Sequence, residues 1–297
     1  MRPKTLETAA RQAEQSGGPE DQLLAWENLG AQPARHAFGR SLWELLVRPG
    51  SFFRKMAVTG GLDEPIAFFA LVLTALILVS FPAALAYFGL AAPDPERMAP
   101  EVYRGYVLPA RLTGLSLVVL PLAVVGASVV AVLLGSLFHM GAKAFGARNW
   151  EGSVSVWLYS LSAALVPVTT AVSIVFVVAL GGYLLGIPWP ATRGATGAIS
   201  QSAATILLLA GPLAGLLLLL TDAIVGCARA FQLDGVNGAA AGLSGLLLVA
   251  VATGAVFWAF RSGGVLRGFI AAGVAMCAAA AVAGVAAVQA RRPEMEA

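Results

Sequence analysis

Few side chains in this sequence have the chemistry to react or to carry charge, and the sharpest of them is Asp222. It stands in Leu217-Leu218-Leu219-Leu220-Thr221-Asp222-Ala223-Ile224-Val225, an acid inside a run with no other charge. A carboxyl in lipid is costly, so an intramembrane acid is by default a candidate for handling a proton or a cation. Two quieter readings stand beside that one. Asp222 could stay hydrated near the end of its segment, or pair with Arg229, two helical turns on and so on a similar face. A proton relay usually needs a chain of partners, and no second carboxylate lies in any apolar segment. Asp222 is the candidate functional residue, with a structural role weighed ahead of a functional one.

The remaining reactive types read as packing or interface residues. His139 follows Phe138 close to Lys143, where a lone histidine caps a helix or sits at an interface more often than it binds metal. Cys227 and Cys277 lie in apolar segments far apart, without the closely spaced ligands that zinc requires. Gly242-Leu243-Ser244-Gly245 is similar to the Gly-x-Ser-Gly nucleophile stretch of rhomboid intramembrane proteases. A serine nucleophile needs a base within reach, and the two histidines, His36 and His139, both precede it; the rhomboid pattern places its histidine in a later helix. No phosphate loop, dinucleotide fingerprint or HExxH stretch is present. The expectation is no catalytic residue, no cofactor, no metal and no enzyme.

The elements that hold these residues are membrane spans. The chain has 297 residues, 58% hydrophobic and 12% charged, about half the charge of an average soluble domain. Six apolar segments, at 65–90, 112–138, 152–187, 203–227, 239–260 and 264–290, are long enough to cross hydrocarbon and contain two charges, Asp222 and Arg267. Arg267 is near a segment start, where it can snorkel. Backbone groups in lipid must bond within the segment, so helices follow. The fold class is all-α: a polytopic transmembrane helical bundle. The third segment would extend roughly 54 Å as one helix. Pro167 suggests a tilted or kinked stretch over 152–166 and a span proper from Pro167 to Ile187, with a re-entrant stretch as the alternative.

Smaller signals refine this picture. Gly182 and Gly186, Gly211 and Gly215, and Gly238 and Gly242 stand four apart, a spacing that lets helices approach closely. Trp43, Tyr87, Tyr103, Tyr106, Trp150, Tyr183, Trp189 and Trp258 gather near segment ends, as an interfacial belt does. With six spans, 13 Lys and Arg fall on the side of the N-terminus and 6 on the other. The expected location is the cell membrane, multi-pass, with both termini cytoplasmic. The expected organisation is a flexible tail over 1–37, an amphipathic interfacial lead-in over 38–64, a transmembrane domain over 65–262, and an extra helix with a short tail over 263–297. In the lead-in, Leu42, Leu45 and Leu46 form a stripe, Pro49-Gly50 breaks the helix, and Ser51 begins another. That pair suits either the membrane interface or the bundle's own face.

From the Trp43 helix onward the order of features resembles the Yip family (Ypt/Rab-interacting membrane proteins), in its bacterial form. Pro49-Gly50-Ser51-Phe52-Phe53 is similar to the family's Pro-x-x-Phe-Phe lead-in, followed by Gly61-Leu62-Asp63-Glu64-Pro65 at the mouth of the first span. Leu137 to Trp150, running into Trp157-Leu158-Tyr159-Ser160 and on to Pro167, looks like its helix end, glycine loop and tyrosine segment. Ile224 to Phe231, leading to Asn237-Gly238, is the third stretch. The resemblance covers roughly 38–260, with five Yip-type spans; the sixth segment, Asp222 and the missing zinc-ribbon lead-in depart from it, so no metal set carries over.

The resemblance implies a non-enzymatic membrane scaffold or organiser. Its eukaryotic relatives bind Rab-type GTPases. The preference for Arg over Lys, with abundant Ala and Gly, points to a GC-rich bacterial genome, so a Rab-type partner is not expected and the location is the bacterial inner membrane. The partners expected are the lipid bilayer, other membrane proteins or a second copy of the chain, and no nucleic acid. The alternative function is a small-solute or ion transporter or channel that uses Asp222, motivated also by Pro82, Pro121, Pro167 and Pro212 within spans.

Overall fold

Long uncharged runs rich in Leu, Val and Ala can satisfy their backbone in lipid only by coiling on themselves. A computed structural model of the chain describes residues 24–26, 33–56, 61–86, 116–184, 195–259, 261 and 274. Seven helices and, among the described residues, no strand make up the fold. They are α1 Ala34–Val47, α2 Pro49–Lys55, α3 Asp63–Ala86, α4 Ser116–Lys143, α5 Trp150–Leu184, α6 Ala195–Ala230 and α7 Gly235–Ala259. The last five are each long and apolar enough to cross a membrane. In their apolar stretches 22% to 28% of residues are buried, which leaves side chains such as Leu122, Val129, Leu209 and Leu247 facing outward. Lipid, not water, suits such a surface. The chain is an all-helical, multi-pass membrane protein. The sixth apolar segment falls almost wholly outside the described residues, as do Tyr87, Tyr103, Tyr106, Trp189, Arg267 and Cys277.

Capping residues set where the helices stop. Gly146 takes φ +108, the left-handed region open to glycine. There Ala147 N–H donates to the Ala142 carbonyl and Gly146 N–H to Lys143, the paired bonds of a Schellman end. Asn149 then caps α5, its Oδ1 accepting the Glu151 N–H at 3.0 Å. Asp234 caps α7 the same way, accepting the Asn237 N–H at 2.7 Å. These caps carry α4 past the apolar run to Lys143 and start α7 at Gly235. In place of a re-entrant stretch, the third segment is one helix, α5, with Pro167 inside it. Just beyond, the Thr169 and Thr170 hydroxyls donate to the carbonyls of Leu165 and Val166.

The described chain divides into two compact units. One comprises Met1–Phe68, Leu133–Tyr159 and Thr221–Ala297. Its centre is a line of aromatic rings. Trp26 meets Phe68 at 5.8 Å, Phe68 meets Tyr159 at 5.2 Å, Tyr159 meets Phe52 at 4.9 Å and Phe52 meets Phe53 at 5.3 Å, all edge-on. Trp26 also donates its indole N–H to the Glu64 carbonyl at 2.9 Å and its backbone N–H to Ser41 Oγ at 3.0 Å. Leu24 and Trp26 are thus buried anchors within the stretch expected to be a flexible tail, because they are among its few large apolar groups. The other unit comprises Phe69–Val132 and Ser160–Leu220. There α6 lies directly on α5. A Cβ at Gly211 would come within 2.5 Å of Ala171 Cβ, and one at Gly215 within 2.6 Å of the Ala164 carbonyl oxygen. The glycine spacing there is used for contact. Gly238 and Gly242 do the same in the first unit, against Ala228 and Ala223; Gly186 lies outside the described residues.

Candidate functional site

Asp222 is placed by the last turns of α6. One turn on and on the same face, Gly226 lets the helix press against Val156 of α5 and the Phe53 ring of α2. On the adjoining face the Ala223 carbonyl lies 2.8 Å from where a Gly242 Cβ would stand, so α7 is equally close. Between these contacts Asp222 is wholly buried, 0% exposed. Neither of its carboxyl oxygens has a hydrogen-bond partner among the described residues. Arg229 is exposed, and the ion pair among the described residues is Lys55 with Glu44. Neither quieter reading, hydration at the segment end or pairing with Arg229, matches this placement.

The other residues singled out in the sequence fall into structural roles around the same unit. His139 Nδ1 lies 2.9 Å from Ser153 Oγ, and that hydroxyl donates to the Asn149 carbonyl at 3.0 Å. With its proton so engaged, Ser153 accepts, which places the histidine hydrogen on Nδ1. The three residues thereby tie the end of α4 to the start of α5. Ser244 donates to the Gly141 carbonyl at 2.8 Å, joining α7 to α4 where a Cβ on Gly141 would meet the Ser244 backbone. Cys227 is buried and free. Among the described residues no three His, Cys, Asp or Glu side chains gather as a metal set.

A second polar cluster lies in the lead-in. Glu44 Oε1 accepts from Lys55 Nζ and from Ser51 Oγ, each at 2.7 Å. Burial alone would raise the Glu44 pKa, but the Lys55 and Ser51 hydrogen bonds and the charges of Lys55 and Arg40 together hold it below its ordinary value. The stripe differs in detail from the expected Leu42, Leu45 and Leu46. The buried positions of α1 are Ala37, Ser41 and Leu45, while Trp43 and Val47 face outward at 68% and 50% exposed. One face of α1 packs and the other is exposed. The clamp went unread in the sequence, although Glu44 and Ser51 flank the Pro49 break that folds α2 back.

The chain matches no protein-family model, no curated protein and no solved structure.

Proposed function

We propose that the chain is a Yip-type scaffold of the bacterial inner membrane, which organises lipids or partner membrane proteins by contact and performs no catalysis. The observation that carries this reading is the lead-in. Phe52 and Phe53 fix α2 on the bundle, and α1 then holds Trp43 and Val47 outward beside Arg40 and Arg48, a face formed for contact. On this reading the sixth apolar segment crosses as well, and both termini are cytoplasmic, the side richer in Lys and Arg. Photo-crosslinkers at Trp43 and Val47, used in cells with the products identified, test the reading. Discrete products that vanish when the crosslinker moves to buried Leu45 support it. No product at any outward position, together with unchanged membrane properties of reconstituted vesicles, counts against it. Reporter fusions that put Met1 and Ala297 on opposite sides would refute the orientation.

A second reading is favoured by one observation, the buried Asp222 carboxyl without a partner. Under it the protein moves a small solute or ion, with Asp222 taking the proton or cation. Flux in proteoliposomes that disappears in Asp222→Asn promotes this reading, and absence of flux for every solute class tried retires it.

A further inference from the structure

The lead-in face on which the scaffold reading rests also carries a cleft. α1 and α2 meet at Arg48, where Pro49, at the first position of α2, turns the chain sharply. The fold brings Arg40, Trp43 and Glu44 of α1, with Arg48 at the junction, against Ser51 and Lys55 of α2, and these six side chains line one open cleft. Arg40 and Glu44 stand four apart and share a face of α1, and Arg48 caps its end. Glu44 is spoken for: its carboxylate binds Lys55 and Ser51. That pairing leaves two guanidinium groups, on Arg40 and Arg48, both exposed and in no ion pair among the described residues. The cleft holds three cations against one anion.

From this juxtaposition we infer that the α1–α2 cleft binds the phosphate of an anionic phospholipid headgroup through Arg40 and Arg48, with Trp43 lying against the same lipid. Guanidinium forks match phosphate oxygens in pairs, with a geometry that ammonium groups lack. Cations at a membrane surface attract anionic lipid, and an indole settles at headgroup depth, its ring towards the acyl chains. Trp43 and Val47 decide between a lipid and a free phosphate ion. An ion has no use for outward apolar side chains 68% and 50% exposed, whereas a lipid covers them. The level is also right, since Phe52 and Phe53 seat α2 on the first turns of α5 and the last turns of α6, where charged residues such as Arg229 and Glu151 mark the ends of those helices. The inference rests on the lead-in as a contact face; protein crosslinks at Trp43 without a lipid preference would sink the lipid site and leave the scaffold reading standing.

The test uses the full chain, purified in detergent with mixed phosphatidylglycerol and phosphatidylcholine, and counts retained lipids by native mass spectrometry. Wild type should hold phosphatidylglycerol over phosphatidylcholine by roughly tenfold or more, the scale expected from two surface cations. Arg40→Gln with Arg48→Gln should abolish that preference. Arg35→Gln with Arg54→Gln removes the same charge from exposed positions outside the cleft and should keep it; matching helical circular dichroism for all three shows that each has folded. Loss of preference in both double variants would reduce the effect to overall charge and overturn the site. Displacement of the lipid by inorganic phosphate would make it an anion site, and equal retention of both lipids by wild type would leave no site at all.

Discussion

At the scale of single residues, two carboxylates behave in opposite ways. Glu44 is ionised and clamped, with its pKa held below the ordinary value. A group of this kind contributes stability that is complete above the unfolded pKa and lost as pH falls through the lower folded one. The protection of α1 and α2 amides, taken relative to their intrinsic exchange at each pH, should therefore fall as pH drops below the ordinary carboxylate range, and Glu44→Gln should be less protected at neutral pH with no such step. Constant wild-type protection across that range would mean the clamp holds nothing. Asp222 by contrast is buried, and neither oxygen has a hydrogen-bond partner among the described residues. Replacing an unsatisfied buried group by an apolar one removes its desolvation cost, about 1–3 kcal/mol. Asp222→Leu should accordingly raise the melting temperature of the purified protein, and a fall would show that the carboxyl has a stabilising partner. The sequence marked Asp222 because a lone acid stands out in an apolar run. It could not show that Asp222 is buried while Arg229 is exposed, since two turns of a helix bring residues to a similar face without fixing the burial of each.

At the scale of elements, backbone proximity at glycines holds neighbouring helices together. Gly242 allows α7 to rest on the Ala223 carbonyl, whereas Gly254 of the same helix has nothing within 4 Å of a would-be Cβ. Gly242→Val should destabilise the protein by about 1–3 kcal/mol through overpacking, and Gly254→Val should leave its melting temperature nearly unchanged. Equal effects of the two would mean that the α6–α7 contact is not close. The spacing of Gly238 and Gly242 was visible in the sequence, but Ala- and Gly-rich helices offer many such pairs and only the packing selects among them. Helix ends were harder to read than helix existence. Hydropathy stops at the last apolar residue, while Asn149, Asp234 and Gly146 terminate the helices by capping bonds that a hydropathy window does not see. Pro167 does not end α5 for a related reason: a membrane helix can continue through a proline, so residue type alone does not fix where a helix stops.

At the scale of the whole molecule, composition alone dictated an all-helical membrane protein, and five spanning helices follow the apolar runs closely. What composition could not convey is which side of each helix meets lipid, because the spans are apolar all round and lack a polar face to orient them. The packing supplies that answer: Leu122, Val125 and Val129 of α4 and Leu209, Leu213 and Leu216 of α6 face out, while Phe138 and Leu158 are fully buried. Every functional reading above requires those outward faces to lie in hydrocarbon. A lipid-phase carbene reagent, activated in vesicles containing the full chain and mapped by mass spectrometry, measures this directly. Labelling concentrated on the six outward residues, with Phe138 and Leu158 spared, is the predicted result. Labelling of those six by a water-phase carbene reagent instead would contradict it.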